Sequence, residues 1–202
     1  MTGFVQVNLS DIVEELGEDR AKAILADFSC PLNEDLQEFL KSKAIEFSRQ
    51  GVSKTHLVYA SYKGEYRLAG YYALATKSIQ VRKDVLSKTM QRRIARFGSY
   101  DAELKQYILP TILIGQLGKN YADGINEQIK GTDLLNMACG EVRKVQKIIG
   151  GKFVYLECED VNHLRNFYKQ NGFTEFGRRL LDKEEINVLR GEELIQLIRY
   201  LN

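Results

Sequence analysis

The sequence predicts an α/β fold, a mixed central β-sheet flanked by helices on both faces. Three observations carry this expectation. Runs rich in β-branched and aromatic residues recur along the chain, at 55–62, 66–81, 107–121 and 152–159. Stretches with apolar residues at helical spacing precede and separate them. Only Pro31 and Pro110 interrupt the 202 residues, with no low-complexity linker or repeat, so a single domain over 1–202 is expected.

Taken in order, Ser10 to Leu16 predicts a short helix stopped by Gly17, and a second helical stretch runs to about Phe28. In "NEDLQEFLKSKAIEFSRQG", Asn33 can cap, Glu34 and Asp35 suit the first turn, and Gly51 can end the helix. Leu36, Phe39, Leu40, Lys43, Ala44 and Phe47 then fall on one stripe facing a core. "THLVYASY" and "YRLAGYYALATKSIQV" predict two strands joined by a turn at "KGE". A charged helix follows over about Asp84 to Phe97, then a third strand in "YILPTILIGQLGKNY". "GTDLLNMACGEVRKVQKIIGG" predicts a long helix ending at paired glycines. "KFVYLECE" predicts a buried strand and "NHLRNFYKQNGF" a short helix that stops at Asn171-Gly172. "FTEFGRRLL" and "ELIQLIRYL" supply two last strands.

The composition, 44% hydrophobic and 28% charged, is that of an ordinary globular chain. With 29 basic and 27 acidic residues the net charge is +2, which gives no global reason to expect a polyanionic partner; a local patch remains open. No apolar run approaches the ~20 residues of a membrane span. The opening "MTGFVQVNLSDIVEEL" lacks the basic-then-apolar pattern of a signal peptide. Cys30, Cys139 and Cys158 are odd in number and widely spaced, which fits reduced thiols. With only His56 and His163, no zinc site and no other metal is expected. The expectation is a soluble cytoplasmic protein with no membrane partner.

Two stretches could carry chemistry. "GQLGKNYADGINEQIKGTDLL" leaves a strand, crosses a polar loop and begins a long helix. The unpaired amides and positive dipole end of a helix N-terminus attract anions, with Gly131 permitting close approach, Thr132 a hydroxyl and Lys130 a charge. The same residues also suit an ordinary loop with Thr132 as the helix cap. In "NHLRNFYKQNGF", Leu164 and Phe167 can face the core, while Tyr168 turns about 100° away from Phe167 toward the sheet edge. Tyr168 is then either a half-buried structural tyrosine or a group aimed at a ligand.

Together, "QIKGTDLL" at 128–135 and "NHLRNFYKQNGF" at 162–173 resemble the GNAT superfamily of N-acetyltransferases, as does the element order over nearly the whole chain. Two positions depart from the family pattern: Asp133 stands where Gly or Ala is usual, and Arg165 where a small residue is usual. The resemblance implies a GNAT fold that binds acetyl-CoA. It implies that Gln128, Ile129, Lys130, Gly131, Thr132 and Asp133 surround the pyrophosphate, mainly through backbone amides. Leu117, Gly118 and Lys119 would hold the pantetheine and acetyl groups, Asn162 would contact the cofactor arm, and Tyr168 would be the general acid that protonates the departing thiolate. The implied reaction is direct acetyl transfer to a primary amine in a ternary complex, with no metal.

Glu157 and Glu159 could act as a base through water, or be solvated strand-end carboxylates. The lack of an obvious base favours an α-amine acceptor, which titrates near ~7.7–8.0, over a lysine near ~10.4. "FSCPLNEDLQEFLKSKA" and "GYYAL" also resemble the toxin-like branch that acetylates aminoacyl-tRNA. In "KTMQRRIARFG", a helix would put Arg92 and Arg96 on one face with Arg93 offset. Those arginines are either a solvated face or a basic wall for nucleic acid. The acceptor classes are therefore a small molecule, a peptide or an aminoacyl-tRNA, and a homodimer is admitted. The alternatives to a general amine acetyltransferase are the tRNA-directed toxin and an inactive CoA-binding or nucleic-acid-binding module.

Overall fold

A computed structural model describes residues 3–183, 185–186, 189 and 191–202. The chain forms two compact units: Met1–Ala75 with Ile114–Gly140, and Thr76–Leu113 with Glu141–Asn202. Each is made from two separated stretches, so no linker in the sequence marks either one.

The first unit starts with strand β1 (Phe4–Asn8) and helices α1 (Leu9–Leu16) and α2 (Glu18–Ala26). A continuous helical rod follows, built from α3 (Glu34–Glu38), a π-helical turn at Phe39–Lys43 and α4 (Ala44–Gln50). Strands β2 (Lys54–Tyr62) and β3 (Glu65–Arg82, through Ala75 in this unit) come next. The end of β5 (Gln106–Lys119) and the head of α6 (Gly131–Ile149) complete the unit. Its strand order is β1-β2-β3-β5. Lys63 and Gly64 both take positive φ (52° and 87°) between the paired residues Tyr62 and Glu65, the two-residue hairpin that "KGE" predicts.

β1 is absent from the sequence reading and pairs antiparallel with β2, from Phe4↔Ala60 to Asn8↔His56. Five residues, none of them fully buried, leave almost no period-two signal for a strand. The rod also departs from its expected stripe. A π turn adds one residue per turn and rotates everything after it by about 100°. Beyond it Ala44 is buried as expected, but it is joined by Ile45 and Ser48, while Lys43 and Phe47 of the unbroken stripe are only half-buried. Leu40, Phe39 and Phe28 pack with Tyr71 at the centre of this unit's core. The Tyr71 ring meets Phe28 edge-on at 5.2 Å and stacks on Phe39 at 6.3 Å.

In the second unit the strand order is β3-β5-β6-β8-β7, with β6 (Phe153–Glu159), β7 (Thr174–Leu180) and β8 (Glu193–Tyr200). The short β4 (Ser99–Asp101), also unseen in the sequence, pairs antiparallel with β5. β5 and β6 run parallel, paired at Ile112↔Val154 and Leu113↔Tyr155, whereas β8 pairs antiparallel with both β6 and β7, so the sheet is mixed as expected. The core gathers Ile79, Val81, Ile94, Leu109, Phe153 and Ile198. The helix expected over 84–97 is shorter: a 3-10 turn at Lys83–Val85, then α5 (Lys88–Ile94). Ser87 caps it by accepting from the Met90 amide at 3.2 Å, and tighter turns carry Arg96 and Phe97 past its end. Met90, Ile94 and Phe97 do face this core. The last helix, α7 (Asn162–Gln170), lies between β6 and β7 in the chain.

Candidate functional site

The head of α6 is built from its own loop. The chain leaves β5 through Asn120, which is 3% exposed and fully engaged. Its Oδ1 accepts from the amides of Ser29 (2.9 Å) and Ala122 (3.0 Å), and its Nδ2 donates to the Leu68 carbonyl (2.9 Å). The Asn120 amide donates to Ala69 O at 2.8 Å and the Tyr121 amide to Ser29 O at 2.7 Å. One asparagine thus ties the strand end to α2's exit and to β3, a role that a lone Asn-Tyr pair in the sequence did not disclose. The following 3-10 segment, Ala122–Gln128, is kinked where Asp123 and Gly124 take φ of 50° and 77°. Arg67 holds the kink through the Asp123 carboxylate at 2.8 Å, and the buried Ile125 anchors it from inside.

At the helix start, Ile129 is buried, while Gln128, Gly131, Thr132 and Asp133 are half-buried and Lys130 is exposed. The Asp133 carboxylate accepts from the Lys130 amide at 3.1 Å, the return half of a capping box. It therefore turns back toward the loop and uses one amide. The Asp133 and Leu134 amides bond the Lys130 carbonyl at 3.0 and 3.2 Å. The amides of Gly131 and Thr132 belong to the first turn, which has no intrahelical carbonyl to serve. Two such amides at a helix start have the donor chemistry to hold an anion. On β5, Gly118 is buried, whereas Leu117 and Lys119 are half-buried. A Cβ on Gly70 would stand 2.7 Å from the Gly118 carbonyl, so β3 and β5 approach here with no room for a side chain.

The second unit carries Tyr168. It is the buried residue of α7, 8% exposed, and Phe167 is only half-buried, which reverses the expected order of the two. Tyr168 meets Phe167 edge-on at 5.0 Å and Phe173 at 5.8 Å. The helix stops because Gly172 takes φ 80° and the Phe173 amide donates to Tyr168 O at 3.0 Å. Burial, and secondarily the nearby Cys158, raises the phenol above its ordinary range, so it is a held proton. Cys158 is itself pushed up to about 12 by burial and by Glu175, an inert thiol. Asn162 is exposed in the first turn of α7. With Arg165, Asn166, Lys169, Gly172 and Glu175 it lines a groove of about 600 Å³.

Glu157 is not a free base. Burial alone would raise its carboxyl, but Arg179 and the Tyr155 hydroxyl outweigh it and leave the group below the usual range. Arg179 donates to it from Nε (2.9 Å) and Nη2 (2.6 Å) and also grips Glu185. Arg92, Arg93 and Arg96 are exposed and form no salt bridge among the described residues. The Arg93 guanidinium lies 4.6 Å from the Tyr200 ring centre.

No family model and no curated protein matches the chain. Solved structures do. A structure of AtaT complexed with acetyl-methionyl-tRNA superposes with a TM-score of 0.61 at 18% identity, over 96% of this chain and 94% of that one. A mutant of KacT superposes with a TM-score of 0.62 at 17% identity, over 97% and 94%. The fold is the GNAT fold. AtaTR bound with acetyl-CoA has it too, with a TM-score of 0.55 at 18% identity, over 95% of this chain and 91% of that one. Within the GNAT fold the described residues include no helix long and apolar enough to cross a membrane.

Proposed function

We propose that the chain, acting as one acetyltransferase domain over 1–202, transfers the acetyl group of acetyl-CoA to the amine of an aminoacyl-tRNA. The observation that carries this reading is the likeness to AtaT with acetyl-methionyl-tRNA along almost the whole of both chains. It favours the tRNA-directed alternative over a free small-molecule amine. Acetyl-CoA, when bound, supplies the activated acyl group. Gly131 and Thr132 offer amides to its pyrophosphate, with Lys130 neutralising charge and Gln128, Ile129 and Asp133 shaping the loop backbone. Leu117, Gly118 and Lys119 line the arm from β5, and Asn162 from α7. As the amine nitrogen bonds the acetyl carbon and the C–S bond breaks, Tyr168 would donate its proton to the departing sulfur, and the proton that the amine loses would pass to water, from which the phenol is restored. Arg92, Arg93 and Arg96 form the phosphate-facing surface for tRNA.

Two expected results test this. Acetyl-CoA at 100 times its Kd should add about 2.7 kcal/mol to folding, seen as a rise in Tm. Gly131→Val, whose branched side chain crowds the first-turn amides, should remove most of that rise. No shift in the unmodified protein at millimolar acetyl-CoA would sink the cofactor assignment. Replacing Arg92, Arg93 and Arg96 together by glutamine should weaken tRNA binding and flatten its salt dependence, since each phosphate contact contributes roughly 0.7–0.9 to the log–log slope. Salt-independent binding by the unmodified protein would remove the basic helix from the tRNA surface.

A further inference from the structure

The first turn of α3 is fixed more firmly than a surface turn needs. Asn33 caps it by accepting from the Leu36 amide at 3.1 Å, and Gln37 accepts from the Cys30 amide at 3.0 Å. The buried Tyr71 hydroxyl donates to the Leu36 carbonyl at 2.6 Å. The Leu36 side chain packs over Gly118, where an added Cβ would come within 3.2 Å of it. This scaffold aims Asp35 at β5: its Oδ2 accepts from Gln116 Nε2 at 3.0 Å. Asp35 is half-buried, and no other hydrogen bond to its carboxylate is found among the described residues.

The faces of the first unit's sheet say what this arrangement can do. Gly70 and Tyr71 are consecutive on β3 and so point to opposite faces. Gly70 faces Leu134 of α6, with 3.3 Å between an added Cβ and Leu134 Cδ2, and Tyr71 faces α3 and Phe28. On β5, Gln116 and Gly118 share the α3 face. The first-turn amides of α6 and the Asp35 carboxylate therefore lie on opposite sides of one strand end. With acetyl-CoA's phosphates at the head of α6, as proposed above, the α3 side of this strand end is the one they leave to the acceptor.

We propose that Asp35, held by Gln116, binds the acceptor's amine in its neutral form, so that the α3 face at the end of β5 is a subsite for a primary amine. This rests on the acetyltransferase reading above. The carboxylate accepts the amine's N–H groups and orients the nitrogen lone pair, and the half-buried setting strengthens that charge-assisted contact. A sequence reading sees Asp35 only as a first-turn acid; its contact with Gln116, 81 residues away, exists only in the fold.

The experiment measures acetyl transfer to a pool of aminoacyl-tRNAs alongside acetyl-CoA binding and acetyl-CoA hydrolysis by water. Asp35→Asn keeps the shape and removes the charge. It should raise the KM for aminoacyl-tRNA by about 10–100-fold, the range of one lost charged hydrogen bond. Acetyl-CoA affinity and hydrolysis should not change, and Asp35→Glu should recover part of the transfer. Gln116→Leu, which frees the carboxylate without removing it, should give a smaller rise. An unchanged KM in Asp35→Asn beside a lowered Tm would mean that Asp35 only supports the helix end, and would overturn the subsite while leaving acetyl transfer intact. Failure of the unmodified chain to bind acetyl-CoA or acetylate the pool would overturn both. If Asp35→Asn does not fold, Gln116→Leu with unaltered KM overturns the subsite on its own.

Discussion

Tyr168→Phe is expected to lower kcat for acetyl transfer by at least tenfold while leaving acetyl-CoA affinity nearly unchanged. The ring keeps its edge contacts with Phe167 and Phe173, so little packing is lost. What goes is one proton. Donation from a positioned group is typically worth about 10²–10⁴ in rate. Burial has two consequences for it. The raised phenol is a weaker acid toward a thiolate near ~8.5 than an ordinary tyrosine near ~10 would be, so its value lies in placement rather than acidity. It also stays protonated throughout the range in which an acceptor α-amine becomes neutral. The kcat/KM profile should therefore rise with pH through the amine and stay flat to about pH 10, with no alkaline limb from Tyr168. An alkaline fall near pH 8–9 that disappears in Tyr168→Phe would contradict this. Full activity in the variant would return Tyr168 to a packing role.

The largest stability loss is expected for Tyr71→Ala. Tyr71 is wholly buried between Phe28 and Phe39 in the first unit's core, and its removal should cost about 3–5 kcal/mol, as for other large aromatic truncations. Tyr71→Phe separates the two contributions. It fills the same space but leaves the Leu36 carbonyl without its hydroxyl partner, which should cost about 1–3 kcal/mol if no water replaces it. Chemical denaturation at pH 7 measures both. The pH dependence has a definite sign. Burial raises the Tyr71 phenol well above its ordinary value, so its contribution is intact below about pH 10, the unfolded value, and declines as pH rises beyond it. Tyr71→Phe should therefore lose less stability than the parent between pH 9 and 11. Equal losses would show that other groups govern the alkaline limb, such as the buried Tyr155, which hydrogen-bonds Glu157.

Much of the architecture was legible because its signals are local. The hairpin at Lys63-Gly64, the Asn33 cap, the glycine-terminated helices and the β-branched strands each depend on a few neighbouring residues. The family resemblance in "QIKGTDLL" and "NHLRNFYKQNGF" was legible for the same reason, and the GNAT fold agrees with it. β1 and β4 were not legible, since five and three residues carry too short a pattern, and their partners lie elsewhere in the chain.

By itself, the sequence determined the fold class, most of the element order and the residue types at the head of α6 and on α7. Periodicity, capping and turn chemistry act over one to four residues and are written in order along the chain. Only the tertiary structure decided where the helical phase slips at Phe39–Lys43, that Tyr168 rather than Phe167 is the buried ring, and that Asp133 turns back to the Lys130 amide. It alone joined Asn120 to Ser29 and Leu68, Arg179 to Glu157, and Asp35 to Gln116. Those pairs are separated by tens of residues, and each depends on a strand or helix facing one way rather than the other. A one-residue shift in phase reverses that choice without altering the local pattern that a sequence displays.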